Sequence, residues 1–177
     1  WYWKSAWNSS KPAFLGDKID NSTYYVRQWW SQDWWKITTG IIDKALEAGY
    51  DGVVLASMDT YIDLGASLKL REKMVDYVIN ISKYAKKSNP SFLILPKNAE
   101  NLGRYPDYVN AIDGIIKEDL IYSPLSNGIS GPKNPIPQFT RSMNELNNFL
   151  EKGRPAFVIE YVSGSAWAQA KKLLKSN

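Results

Sequence analysis

Apolar positions along the chain follow two alternating patterns. Ile37, Ile41, Ile42, Ala45 and Leu46 recur at helical spacing up to Gly49, and Leu70, Met74, Val75, Val78, Ile81 and Ala85 do so up to Asn89-Pro90. Met143, Leu146, Phe149 and Leu150 mark another amphipathic helix, broken by Gly153, and residues 166–174 predict a last one. Between these segments lie short runs rich in β-branched residues at 52–55, 92–95, 114–117 and 156–159. Runs of that kind, without polar alternation, predict strands buried on both faces. Four strands alternating with helices predict parallel βα units and an α/β fold. A shorter connection containing Leu102, Tyr105, Pro106 and Val109 precedes the third strand, and residues 123–138, with four prolines among Ser, Gly and Asn, predict a long surface loop that covers a site.

Residues 1–36 break this pattern. They hold seven of the eight tryptophans and predict an aromatic, irregular segment, read as a belt packed on the outside or mouth of the domain in preference to a sugar-stacking platform. The 177 residues suit a single domain, 1–177, in which 37–177 supply the βα units. A complete eight-stranded barrel takes about 250 residues, so the chain is a small open sheet or a partial barrel.

Composition removes several chemistries. With no cysteine and no histidine, disulfides, thiol nucleophiles, Ser-His triads and nearly every zinc site are excluded. The net charge of +4 comes from scattered cations, with short clusters only at Lys86-Lys87 and Lys171-Lys172, which read as solvated faces; no nucleic-acid partner is expected. No apolar run approaches the roughly 20 residues of a membrane span. No signal-peptide pattern precedes Trp1, and the missing initial methionine predicts that an upstream piece was removed.

Candidate chemistry gathers at the predicted strand exits. Residues 50–59 and 112–120 share the motif Asp-Gly followed by an apolar run, and four residues beyond each glycine stand Ala56 and Glu118. One position carries a methyl group where the other carries a carboxylate. Asp59 follows the first strand, Lys97 and Asn98 the second, Glu118 and Asp119 the third, and Glu160 the fourth. Acids and amides at one rim are what a sugar site requires, because glycoside hydrolysis uses one carboxyl group to protonate the leaving oxygen and another to attack the anomeric carbon or activate water. Burial at the end of an apolar strand is expected to raise the pKa of Glu118 and suit it to general-acid work. Asp59 is either a functional acid or a helix cap. Asp51 and Asp113 face the opposite rim and are read as stabilising turns, and Glu160 either binds substrate or pairs with a cation such as Lys97.

The succession Gly-Tyr-Asp-Gly-Val at 49–53, Met-Asp-Thr-Tyr at 58–61, Leu-Pro-Lys-Asn at 95–98, Ile-Asp-Gly-Ile-Ile-Lys-Glu at 112–118 and Phe-Val-Ile-Glu-Tyr at 157–161 resembles the endo-α-1,4-polygalactosaminidase family of glycoside hydrolases, family 114, and its bacterial and archaeal relatives. The motifs run in order over most of the chain. The resemblance implies a (β/α)8 TIM-barrel-like fold, here an incomplete barrel with at least four parallel strands. It also implies cleavage of α-1,4-linked galactosamine-rich polysaccharide without metal or cofactor, and an extracellular or cell-envelope setting. It assigns the acid/base role to Glu118 and substrate contacts to Lys97, Asn98 and Glu160, and matches Asp59 to the second aspartate of an Asp-x-x-Asp motif; Asp59 is taken as the second catalytic candidate, and Tyr61 and Tyr122 as further candidate substrate contacts. The family places an aspartate where this chain has Ala56, so an inactivated enzyme, or a non-catalytic carbohydrate-binding or structural α/β module, is the other reading. Strands expected by the resemblance are missing, so a partner or further chain is expected to complete the barrel, since exposed strand edges invite pairing.

Overall fold

The computed structural model describes residues 7, 10–18, 24–124, 130–162 and 164–175. They fall into two compact units, Trp1–Val53 with Ser57–Leu93, and Val54–Ala56 with Ile94–Asn177.

In the first unit, strands β1 (Leu15–Lys18) and β2 (Tyr24–Val26) pair antiparallel, so the aromatic segment is not irregular throughout as expected. Helix α1 (Gln32–Glu47) begins five residues before the predicted Ile37, because the Ser31 side chain caps it by accepting from the Trp34 N–H at 3.2 Å. Its tryptophans are packed. Trp34 Nε1 donates to the Tyr77 hydroxyl at 2.9 Å, and the Trp35 ring meets Tyr77 and Tyr84 edge-on at 6.4 and 6.0 Å. Tyr77 and Tyr84 lie on α3 (Leu68–Ser88), whose buried stripe Met74, Val75, Val78, Ile81 and Ala85 is the helical period of the sequence. Trp29 is buried, while the half-exposed Trp30 ring lies 3.4 Å under Lys73 Nζ. Trp1 and Trp3 lie outside the described residues.

Strand β3 (Gly52–Leu55) forms a two-stranded sheet with β4 (Leu93–Pro96). The Leu93 N–H donates to Asp51 O and the Lys97 N–H to Leu55 O, donor and acceptor advancing by four together, which is a parallel register. Gly52 is required there, since a Cβ on it would stand 2.5 Å from both Cβ and the carbonyl oxygen of Leu93.

The second unit holds further parallel pairings. A parallel bridge joins Lys97 to Ile116, and β5 (Ile115–Glu118) pairs in parallel with β8 (Ala156–Ile159) from Ile115↔Ala156 to Glu118↔Ile159. Gly114 repeats the role of Gly52, a Cβ there falling 2.9 Å from Pro155 O and 3.0 Å from the Leu95 side chain. The aspartate before it fixes the same end of the strands, Asp113 Oδ2 accepting the Ile94 N–H at 2.9 Å. Helices α4 (Pro106–Ala111) and α5 (Ile136–Leu150) bury Tyr108, Val109, Leu146 and Phe149, and α6 (Gly164–Lys175) follows β8.

Two expectations fail here. Residues 123–138 are not a loop throughout: β6 (Tyr122–Pro124) and β7 (Ser130–Lys133) pair antiparallel and α5 starts at Ile136, with 125–129 outside the described residues. The strands are also not buried on both faces. Val54 is 53%, Phe157 49% and Ile159 37% exposed, because no second layer covers that face among the described residues, whereas Ile115 and Ile116 of β5 are buried.

Candidate active site

The carboxyl ends of β3, β4, β5 and β8 deliver Ala56, Lys97, Asn98, Glu118, Asp119, Glu160 and Tyr161 to one rim of the second unit. Glu118 is its centre. Lys97 Nζ stands 2.9 Å from Glu118 Oε2, the Tyr161 hydroxyl donates to Oε1 at 2.7 Å, and the Glu118 N–H donates to Asn98 Oδ1 at 3.0 Å. Three neighbouring strand exits thus hold one carboxylate, and Asn98 positions its backbone.

The expected rise in the Glu118 pKa does not occur. Burial pushes the carboxyl up, but the Tyr161 hydroxyl, the Lys97 ammonium and the Lys117 charge together outweigh it and hold Glu118 below its ordinary value. Glu118 is therefore ionised at neutral pH. Tyr161 is pushed up in turn, because its hydroxyl donates to that carboxylate.

Glu160 does not pair with Lys97. Its Oε1 accepts the Ile121 N–H at 2.6 Å and its Oε2 the Tyr122 N–H at 3.2 Å, so the side chain clamps the start of β6. Burial raises its pKa against those bonds. Tyr122 is buried beside this clamp, its ring centre 5.8 Å from Lys133 Nζ.

Asp59 and Tyr61 belong to the first unit. Asp59 stands at the start of α2 (Thr60–Asp63) without a side-chain capping bond, and Tyr61 is completely buried with the Arg71 guanidinium 5.8 Å from its ring centre. The structure therefore gathers Lys97, Asn98, Glu118 and Glu160, and places Ala56 on the same exits.

Sequence reasoning missed three participants. Tyr161 follows Glu160 and reaches Glu118 only through the β5–β8 register. Asn134, a buried amide, donates through Nδ2 to Asp119 O at 2.7 Å and Leu120 O at 3.1 Å, and its Oδ1 accepts from Ser123 Oγ at 2.6 Å. Its signal was an asparagine among prolines in a supposed loop. The third participant is backbone conformation: Asn98, Ala99 and Asp119 have φ of 62°, 62° and 53°, left-handed positions without glycine, and such strain concentrates at functional sites.

A sequence profile of glycoside-hydrolase family GH114 matches residues 2–177. The chain is 27% identical over 170 residues to an uncharacterised protein of Methanocaldococcus jannaschii, covering 91% of this chain and 47% of that one. It is 28% identical over 170 residues to one of Deinococcus radiodurans, covering 93% and 52%. The chain thus spans about half the length of these curated relatives. Among solved structures it is similar to Aspergillus fumigatus Ega3 in complex with galactosamine, with a TM-score of 0.64 and 20% identity over 89% of this chain and 55% of that one. It is also similar to the glycoside hydrolase domain of PelA from Pseudomonas aeruginosa, with a TM-score of 0.66 and 15% identity over 95% and 66%. These likenesses show an α/β fold of the TIM-barrel type, represented here by an incomplete barrel.

Proposed function

The chain belongs to glycoside-hydrolase family GH114, and from that membership we propose that it hydrolyses α-1,4-linked galactosamine-containing polysaccharide. The observation that carries this reading is the ionised Glu118 held between Lys97 and Tyr161 at a strand exit. Strand exits are where barrel folds place their chemistry. An ammonium-bearing sugar suits this rim, because the ionised Glu118 carboxylate stands at it. That the similar Ega3 structure contains galactosamine supports an amino sugar as the ligand class.

Being ionised, Glu118 takes the part of the charged carboxylate, accepting a proton from attacking water or stabilising positive charge at the anomeric carbon. Tyr161 and Lys97 favour its ionised form, and Asn98 fixes its backbone. In this reading Glu160 acts through the backbone it clamps at the start of the strand that carries Tyr122.

Ala56 favours a second reading, a module that binds the polymer without cutting it. Both are tested by incubating partly deacetylated α-1,4-galactosaminoglycan with the wild type, Ala56→Asp and Glu118→Gln, and measuring new reducing ends and polymer binding. Slow cleavage by the wild type, a gain in Ala56→Asp and loss in Glu118→Gln are expected. Binding without cleavage in all three selects the module, and cleavage undiminished in Glu118→Gln overturns the proposed role of that residue.

A further inference from the structure

We infer that Asp119 is the proton donor of this site, supplying the second carboxyl group that Ala56 lacks. The inference rests on the glycosidase reading and adds a residue to it.

Asp119 directly follows Glu118, and its backbone is fastened on two sides. Its N–H donates to Ile159 O at 3.0 Å, one step past the β5–β8 ladder, and its carbonyl accepts from Asn134 Nδ2 at 2.7 Å. Between those anchors the residue sits at a φ of 53°. A continuing strand would send residue 119 to the face opposite Glu118; the left-handed turn ends that alternation. Aspartate tolerates this conformation better than most residues but does not require it, so anchored strain at a strand exit points to a placed side chain.

The other acids at the rim are engaged. Glu118 is bonded to Lys97 and Tyr161, and Glu160 to two backbone N–H groups. The half-buried Asp119 carboxyl makes no hydrogen bond or ion pair among the described residues, which leaves it available to a glycosidic oxygen. The charged groups around it are Lys117 and Glu118 of β5, Lys97 just after β4, and Glu160 and Tyr161 beyond β8. Burial, and then the Glu118 charge, push Asp119 above its ordinary value, while Lys117 and Lys97 oppose the shift less strongly. Two adjacent carboxyl groups with pKa values driven apart is the arrangement that separates acid from base.

The step balances as a single hydrolysis. The Asp119 carboxyl gives its proton to the glycosidic oxygen, and the electron pair of the breaking C1–O bond stays on that oxygen, which leaves as a hydroxyl. Water bonds to C1 and passes its proton to the Glu118 carboxylate, and exchange with solvent returns both groups to their starting states.

The test compares the wild type with Asp119→Asn, which suits the left-handed backbone. Each is assayed on the polymer and on the 2,4-dinitrophenyl glycoside of galactosamine, whose leaving group needs no proton. The expected result is a loss of about 100-fold or more on the polymer, a change of less than about threefold on the activated glycoside, and disappearance of the alkaline limb of the pH–rate profile. Equal losses on both substrates, or unchanged polymer cleavage, overturn the role of Asp119 while leaving the glycosidase reading in place. Failure of the wild type to cleave either substrate removes both.

Discussion

Lys97 Nζ and Glu118 Oε2 lie 2.9 Å apart across the neighbouring exits of β4 and β5, with side chains 26% and 16% exposed. At that degree of burial neither charge is well served by water, so each depends on the other.

Replacing Lys97 by Met removes one cation and leaves burial opposed only by the Tyr161 hydroxyl and the Lys117 charge. The Glu118 pKa then rises, and the acidic limb of the pH–rate profile moves to higher pH. Because Glu118 titrates below its ordinary 4.5 in the folded chain, the stability it contributes is fully present above 4.5 and lost as pH falls through its lower folded value. Lys97→Met therefore costs on the order of 1–2 kcal/mol at neutral pH, and the difference from the wild type shrinks on acidification. Urea unfolding from pH 3 to pH 7 checks the sign, and a difference that grows toward low pH refutes it.

Glu160 offers a separate test, since both of its oxygens accept backbone N–H groups. In Glu160→Gln one N–H faces an amide NH2 instead of an acceptor, at a cost of about 1–2 kcal/mol. Hydrogen exchange should accelerate at Ile121 and Tyr122 while amides of β4 keep their protection. Uniform loss of protection would mean that the clamp serves the whole unit and not this turn.

Gly52→Ala should be more damaging than either. A methyl group 2.5 Å from Leu93 Cβ and O has no flexible neighbour to displace, so β3 must separate from β4. The expected loss is about 2–3 kcal/mol or more, visible as a lower urea midpoint at unchanged slope. Gly49→Ala is the control for backbone effects, because its φ is 75° and nothing lies within 4 Å of its added Cβ.

Much of this architecture was legible because burial writes itself as periodicity. The stripe of α3 and the runs of β3 and β8 fall where the apolar spacing put them, and the repeated Asp-Gly marks two glycines pressed against a neighbouring strand and one aspartate bonded across it. The first turn of α1 was not legible, because Trp34 and Trp35 read as loose aromatics until Tyr77 supplied their partner. Nor were β6 and β7, whose prolines suggest a loop while the edge pairing of a short hairpin tolerates them. At the site, Glu118 and Lys97 were legible as residue types at strand ends, but the direction of the Glu118 shift depends on Tyr161, which only the register of β5 on β8 brings within reach.

Asn134 has a consequence for how such a rim diversifies. One amide just before α5 fastens Asp119 and Leu120 and receives Ser123, so the root of the β6–β7 hairpin is tied to the backbone that carries Asp119. Sequence drift at this rim is therefore constrained at position 134, where loss of one amide would release Asp119, Leu120 and Ser123 together.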